Sequence, residues 1–281
     1  MLTDFYRICK LNIRIDASEK LPYSEHWAHF ACPPCVPDVA LSCRACESLP
    51  APTGEMLGGD ADSAVYRAAD GLHRWVHISG KNTACCSYSD GENTVAVRGD
   101  VWDVAMDYRY MWSTAAMPQI LIRKGVLILH ASYVEADGGG IVFAAASGIG
   151  KSTQAALWEK YRGAEIINGD KCGITLNGGA EVHGVPVAGT SGLCKNKSLP
   201  LRAIVLLKQA PENSVRRLRG AEALSAVMGN VHLDISAAED RRLALELTMR
   251  LADSVPVFEL ACTPDERAVE ALENAMSIAK I

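Results

Sequence analysis

Apolar and polar positions follow one rhythm before residue 115 and another after Pro118. In the first stretch the apolar residues come in short runs: Val39–Arg44, Arg74–Ile78, Ala84–Tyr88 and Thr94–Arg98. Each has the partial two-residue alternation of a strand and is bounded by Pro, Gly, Asn or Asp, so each is predicted to be a strand ending in a turn. Ser89-Asp90-Gly91-Glu92 falls between two of them as a hairpin loop. Pro33-Pro34, Pro37 and the stretch Leu49–Gly59 are predicted loops, and Trp102–Trp112 a helix whose aromatic residues belong to the core.

After Pro118 the runs lengthen. Val126–Val134 is predicted to be a long strand that turns through Asp137-Gly138-Gly139-Gly140 into Ile141–Ala144. So short a linker makes this pair a hairpin, because a parallel crossover needs a dozen residues or more. Lys151–Tyr161 carries Ala155, Ala156, Leu157, Trp158 and Tyr161 at helical spacing, and Gly163 stands where a C-terminal cap belongs. Glu165–Asn168 is a short strand. Cys172–Leu176 and Ala180–His183 form a second hairpin around Asn177-Gly178-Gly179. Leu201–Lys208 is a buried strand, Gly220–Met228 and Arg241–Leu251 are helices, and Val255–Leu260 is a strand. Thr263-Pro264-Asp265-Glu266 has the grammar of a capping box opening a helix to about Ala279, with Val269, Leu272, Ala275 and Met276 on one face. Strands and helices mixed with hairpins predict an α/β fold with an incompletely parallel sheet. Two regions are expected: residues 1–115, β-rich and accessory, and residues 116–281, the core.

Composition narrows the function. The net charge is -5 and no basic tract exists, which argues against nucleic acid or an anionic membrane as partner. Runs such as Ile141–Ala146 and Ala203–Leu207 are far too short to span a bilayer. The N-terminus MLTDFYRICK shows no signal peptide, so a cytoplasmic protein with reduced thiols is expected. Ten cysteines are then an oddity, seven of them before residue 90. Cys32-x-x-Cys35 and Cys43-x-x-Cys46 resemble a four-thiolate zinc site, with a shorter spacer than usual. The competing reading is of small buried or half-buried thiols, because a strand over Asp38–Cys46 would aim Cys43 and Cys46 at opposite faces.

The chemistry lies between the Ile141 strand and the Lys151 helix. Ala145-Ala146-Ser147-Gly148-Ile149-Gly150-Lys151-Ser152-Thr153 is a phosphate-binding loop in its proper strand–turn–helix context, with Ala145 where the full pattern has Gly. Glycines let main-chain N–H groups converge on phosphate oxygens, and the helix dipole favours the anion. Lys151 is expected to reach the terminal phosphates and the Ser152 hydroxyl to ligate magnesium. Asp170 ends a strand 18 residues after Ser152, and His130 lies on the strand paired with the one that feeds the loop.

Leu129-His130-Ala131-Ser132, the Asp-Gly hairpin, Ser147–Thr153 and Ile167-Asn168-Gly169-Asp170 together resemble the core of the HPr kinase/phosphorylase-like proteins, whose fold is shared with the phosphoenolpyruvate carboxykinases. Gly184-Val185-Pro186 through Gly189-Thr190-Ser191-Gly192, then Pro200–Val205, are similar to the stretch that follows there. The resemblance covers about residues 120 to 275 and leaves out the first 115. It implies transfer of the γ-phosphate of ATP, with magnesium, to a hydroxyl of a protein, peptide or metabolite, and a homo-oligomer as a possible assembly. Ser147, Gly148, Ile149, Gly150, Lys151, Ser152 and Thr153 would bind the nucleotide. Ser152 and Asp170 would hold magnesium, and Asp170, His130 and Lys151 would act in transfer. The family usually has two adjacent acidic residues where this chain has Gly169-Asp170, so an ATP-binding regulatory protein without efficient turnover is the alternative. Glu181 is a candidate second metal carboxylate beside His183. Lys195, Asn196 and Lys197 are candidates for a lid or a solvated loop, and Arg216, Arg217 and Arg219 form a basic surface run.

Overall fold

The computed structural model describes residues 1–22, 24–78, 80–89, 92–189 and 191–278. The chain forms two compact units, Met1–Lys124 with Leu233–Leu243, and Gly125–His232 with Ala244–Ile281. Both are built on mixed sheets, an α/β architecture.

In the first unit β1 (Leu2–Ile8), β2 (Leu11–Ala17), a helical turn α1 (Glu25–Ala28), β3 (Val39–Cys46), β4 (Glu55–Gly59), β5 (Ser63–Ala68), β6 (Gly71–Ile78), β7 (Lys81–Tyr88) and β8 (Asn93–Arg98) follow one another. The eight strands make one sheet in the order β1-β2-β3-β8-β7-β6-β5-β4. The β2–β3 and β3–β8 pairs are parallel and the rest antiparallel. Alternation does the sorting: Ile13, Ile15, Val39, Leu41, Val95 and Val97 point inward and are buried. Cys43 and Cys86 belong to this stripe, each paired in register with Val95. Burial pushes the Cys43 thiol up to about 12 and the Cys86 thiol well above its usual value, so both serve as small apolar residues.

Several expectations for this region change. Leu49–Gly59 is not all loop, since it contains β4. The predicted 102–112 helix is two, α2 (Trp102–Ala105) and α3 (Tyr108–Thr114), because Asp107 stands between them and its carboxylate accepts the Arg109 N–H at 3.1 Å as a cap. Trp102 and Trp112 are core, whereas Tyr110 is exposed. A further helix, α4 (Met117–Arg123), follows. Its Arg123 ion-pairs with the fully buried Asp240, lies 4.9 Å over the Tyr88 ring, and Tyr88 donates to the same carboxylate at 3.1 Å. The predicted Ser89–Glu92 hairpin loop includes Asp90 and Gly91, which lie outside the described residues.

The second unit opens with β9 (Leu127–Ala136) and β10 (Gly139–Ala144), an antiparallel hairpin whose turn residues Asp137 and Gly138 both have positive φ. Then come α5 (Lys151–Arg162), β11 (Glu165–Asn168), β12 (Lys171–Thr175), β13 (Glu181–Gly184), β14 (Ser198–Gln209), β15 (Ser214–Leu218), α6 (Gly220–Met228), α7 (Ala238–Ser254), β16 (Val257–Cys262) and α8 (Glu266–Ile278). Helix α7 begins in the first unit and ends in the second. Gly163 caps α5 in the left-handed region at φ 62°.

Strands β10, β9, β12, β13 and β14 pair each with the next, and β14 returns to β10 as a parallel neighbour, so the pairing closes a ring. Strands β16 and β15 extend β14 outward. Helices α5 and α8 bury Ala155, Trp158, Val269, Leu272 and Met276 against Ile141, Phe143, Val205, Phe258 and Leu260. The basic run at Arg216 proves to be strand β15, with Arg216 ion-paired to Glu222 and Glu259. Helix α8 starts at Glu266, later than the capping-box reading, because the Thr263 hydroxyl bonds the Asp265 carboxylate at 3.0 Å and accepts from Asn213 at 2.9 Å. Among the described residues no helix is long and apolar enough to cross a membrane.

Candidate phosphate-binding site

Strand β10 delivers the loop. Ala144 pairs with Ala131 of β9, and the chain then leaves the sheet through residues 145–150 before α5 begins at Lys151. Gly148 and Gly150 have φ of 81° and 126°, conformations that a Cβ would strain. Ala145 replaces the first glycine of the pattern without strain, since its φ is not positive. Residues 146–148, Ser152 and Thr153 are exposed, and the first N–H groups of α5 have no acceptor inside the helix. Lys151 is buried, and its Nζ donates to the Ala145 carbonyl at 2.9 Å, closing the loop on itself. Burial lowers the Lys151 ammonium below its ordinary value, while Asp170 opposes that shift.

The neighbouring strands bring the other residues to the same end of the ring. His130 precedes Ala131 on β9 and pairs with Lys171 of β12. Strands β11 and β12 run along one edge of β9 as a single strand interrupted by a bend at Gly169-Asp170, and the register against β9 shifts just before it, between Ile166 and Asn168. The Asp170 carbonyl accepts the Ala131 N–H at 2.8 Å, and Ser132 Oγ donates to the Gly169 carbonyl at 3.0 Å. Asn168 is fully buried, accepting from the Asp170 and Lys171 N–H groups and donating to the Val185 and Val187 carbonyls at 2.9 and 3.0 Å.

The Asp170 carboxylate is held by two basic side chains. His130 Nε2 lies 3.2 Å from Oδ1, and the Lys171 ammonium contacts Oδ2. The His130 bond, reinforced by Lys171 against the cost of burial, keeps the carboxyl well below the usual range. Such a carboxylate stays ionised at neutral pH and is a weak base. Gly189 and the segment from Ser191 to Lys195 run beside it, with Lys195 N–H donating to the Ile167 carbonyl at 2.9 Å and Gly169 N–H to the Leu193 carbonyl at 3.3 Å. A Cβ at Gly189 would come within 2.9 Å of the Asp170 Cβ, so this close approach requires glycine.

Other sequence candidates sit apart from this chemistry. His183 is 1% exposed and its ring nitrogens meet Thr175 Oγ1 at 2.9 Å and Ser198 Oγ at 2.7 Å, which makes it part of the packing. Lys195 and Lys197 ion-pair with Glu165, and Lys197 also with Glu135. Of the four candidate zinc thiols, Cys32 and Cys35 lie between α1 and β3. Cys43 is buried on β3, and Cys46, on the opposite face, donates to the Val97 carbonyl at 3.3 Å. Among the described residues no three His, Cys, Asp or Glu side chains gather where they could hold a metal ion. Sequence reasoning missed Lys171, whose only signal was its place directly after Asp170. It also missed the anchoring role of Asn168.

A solved structure similar to this chain is the Hpr(Ser) kinase/phosphatase from Coxiella burnetii, 13% identical over 54% of this chain and 94% of that one, with a TM-score of 0.31. No curated protein matches the chain. A family model described as "SynChlorMet cassette protein ScmC" matches residues 102–277. That span takes in α2–α4, the phosphate loop and the Asp170 bend, and the chain belongs to the ScmC family.

Proposed function

We propose that this chain is a phosphotransferase that moves the γ-phosphoryl group of ATP, with magnesium, onto a hydroxyl of a protein, peptide or small metabolite. The observation that carries the reading is the convergence of Lys151, at the mouth of a glycine-bearing loop, with Asp170 and His130 on adjoining strands. Phosphoryl transfer asks a protein mostly for positioning and charge neutralisation, which this small set of residues can supply.

The loop N–H groups and Lys151 bind the β- and γ-phosphates, with Lys151 exchanging its bond to Ala145 for phosphate oxygens. Asp170 accepts the hydrogen bond of the acceptor hydroxyl and orients its oxygen toward the γ-phosphorus. The new oxygen–phosphorus bond forms as the bond to the bridging oxygen of the diphosphate leaving group breaks. Because its pKa is low, Asp170 orients the hydroxyl more than it removes the proton, which passes late to a phosphate oxygen and on to water, when the attacking oxygen has become acidic. His130 neighbours both the carboxylate and the acceptor position. The exposed hydroxyl of Ser152 and the ionised Asp170 are oxygen donors of the kind magnesium takes, and the metal when bound neutralises phosphate charge.

The test is incubation with γ-labelled ATP, magnesium and candidate acceptors or a lysate. Label transfer that disappears in Lys151→Ala and in Asp170→Ala is the expected result. Full transfer by Asp170→Ala overturns the role given to that residue. One observation favours a second reading, nucleotide binding without turnover: the residue before Asp170 is Gly169, where a Cβ would meet Ser191 Oγ at 2.2 Å, so a second carboxylate there requires the Ser191 side chain to move. Tight ATP binding with no phosphorylated product across the acceptor screen decides for it.

A further inference from the structure

Strand β1 is the edge of the first unit's sheet, and only part of that edge is covered. The Arg7 N–H donates to the Phe30 carbonyl at 2.7 Å and the Cys32 N–H to the Phe5 carbonyl at 2.9 Å, so the chain after α1 covers β1 over Phe5–Arg7. Main-chain groups of a strand point alternately to its two sides. With Phe5 and Arg7 turned outward, the Thr3 N–H and carbonyl turn outward too, and among the described residues no main-chain group meets them. An open edge of this kind is a template for another extended chain.

A cleft of about 480 Å³ opens beside the same stretch, with Thr3 on its lining. Leu2, Asp4 and Tyr6, which alternate onto one face of β1, form part of its wall. They continue the face on which their register partners Ala17, Ile15 and Ile13 are buried. Trp27 of α1 and the buried Met106 and Met111 make the lining mostly apolar, of a kind that takes large side chains of varied shape. Asp4 is the exception, an exposed carboxylate in the middle of this face with no ion-pair partner among the described residues. The cleft's other charge, Lys20, belongs to the loop before α1 and is not ion-paired to it. Burial and then the Asp4 charge push the Tyr6 hydroxyl up to about 12, so Tyr6 stays neutral beside the acid.

These features choose the occupant. The bare Thr3 groups fit main chain, and the apolar lining fits large side chains. A second copy paired edge to edge would bring its own Asp4 into the same short stretch, like charge against like, whereas a base opposite Asp4 is favoured. We propose that the open part of β1 and its cleft bind an extended peptide as a further strand, one that carries a basic residue between two large apolar residues at alternate positions. The base pairs with Asp4, the apolar residues enter the cleft on either side of it, and the intervening main chain bonds Thr3. The proposal is independent of the phosphotransfer reading.

The test is fluorescence anisotropy on the full chain with a labelled heptapeptide of threonines that carries leucine, lysine and leucine at its second, fourth and sixth positions. Saturable binding is expected, at least about fivefold tighter than for the same peptide with glutamate in place of lysine. Asp4→Lys should reverse that order. N-methylation of the third and fifth threonines should weaken binding at least about fivefold, because it removes the hydrogen bonds of an added strand and keeps the side chains. Lysine and glutamate peptides bound equally, or no binding at about 1 mM peptide, overturns the proposal. A concentration-dependent dimer of the chain that Leu2→Glu abolishes assigns the edge to a second copy and overturns it as well. Amide exchange at Thr3 gives a measure that needs no substitution: saturating lysine peptide should slow it at least about fivefold, and an unchanged rate overturns the proposal.

Discussion

The carboxamide of Asn168 accepts the main-chain N–H of Asp170 at 2.9 Å, so a fully buried residue two positions away sets where the carboxylate stands. The same amide holds the Lys171 N–H and two carbonyls of the segment after β13. Replacing Asn168 with Leu strips four buried main-chain groups of their partner. The expected loss is on the order of 3 kcal/mol, read as a lower urea midpoint with an unchanged slope. A midpoint equal to that of the parent would show that the bend is held elsewhere.

The pH dependence of transfer should report the two bases around Asp170. Its carboxyl is depressed chiefly by His130 and further by Lys171, so the unaltered protein keeps the carboxylate ionised well below the usual carboxylate range. Lys171→Met removes one of these influences and raises the folded-state pKa. The acid limb of kcat/KM should therefore move to higher pH, with the neutral-pH rate little altered. An acid limb that stays in place would separate Lys171 from the Asp170 titration.

Glu165 offers a linkage test away from the phosphate loop. Lys195 and Lys197 hold its carboxyl down at about 2, against 4.5 ordinarily. A depressed acid contributes stability that is fully present above the unfolded value and lost as pH falls through the folded one. Glu165→Gln should lower the urea midpoint slightly at pH 6, and the difference should vanish as pH approaches 2. These side chains are about 40% exposed, so 1 M salt should erase most of the effect. A difference that persists at pH 2 would assign it to packing.

Gly169 can be tested by putting back the missing carboxylate. In Gly169→Asp the new Cβ meets Ser191 Oγ at 2.2 Å and Ser191 Cβ at 3.1 Å, an overpacking expected to cost about 1–3 kcal/mol. Adding Ser191→Gly should recover much of that loss, so the two substitutions are non-additive. Label transfer by the double variant then tells whether a second acid limits turnover: a rise identifies the limit, and an unchanged rate removes it.

How much of this was legible in the sequence depends on how local the cause is. The β9–β10 hairpin was readable because Asp137-Gly138 are the residues a turn with two positive φ values prefers. The β1–β2 hairpin was not, because Cys9-Lys10 fill the same left-handed positions, at φ 51° and 66°, with residues that give no turn signal. The helix α5 and its Gly163 cap follow from spacing alone. Thr263-Pro264 misled for the opposite reason: a local capping pattern lost to Asn213, some fifty residues earlier, which takes the Thr263 hydroxyl. At the site, the loop pattern exposed Lys151 and its neighbours. The clasp on Asp170 by His130 and Lys171 depends on the pairing of β12 with β9, Lys171 against His130, which no spacing rule encodes.

The closed ring of five strands has a consequence for the order in which the molecule can be made. Strand β10 feeds the phosphate loop, and its second neighbour, β14, lies far downstream, Ile141 against Ala203 and Ala144 against Leu206. Such distant pairing must close a large loop of chain before it is rewarded, and it forms late. A nascent chain that has not yet reached Ser198–Gln209 has the β9–β10 hairpin and its β12 neighbour but not the strand that flanks β10 on its other edge. The strand that feeds the phosphate loop is thus fixed on both edges only once Ser198–Gln209 has joined it.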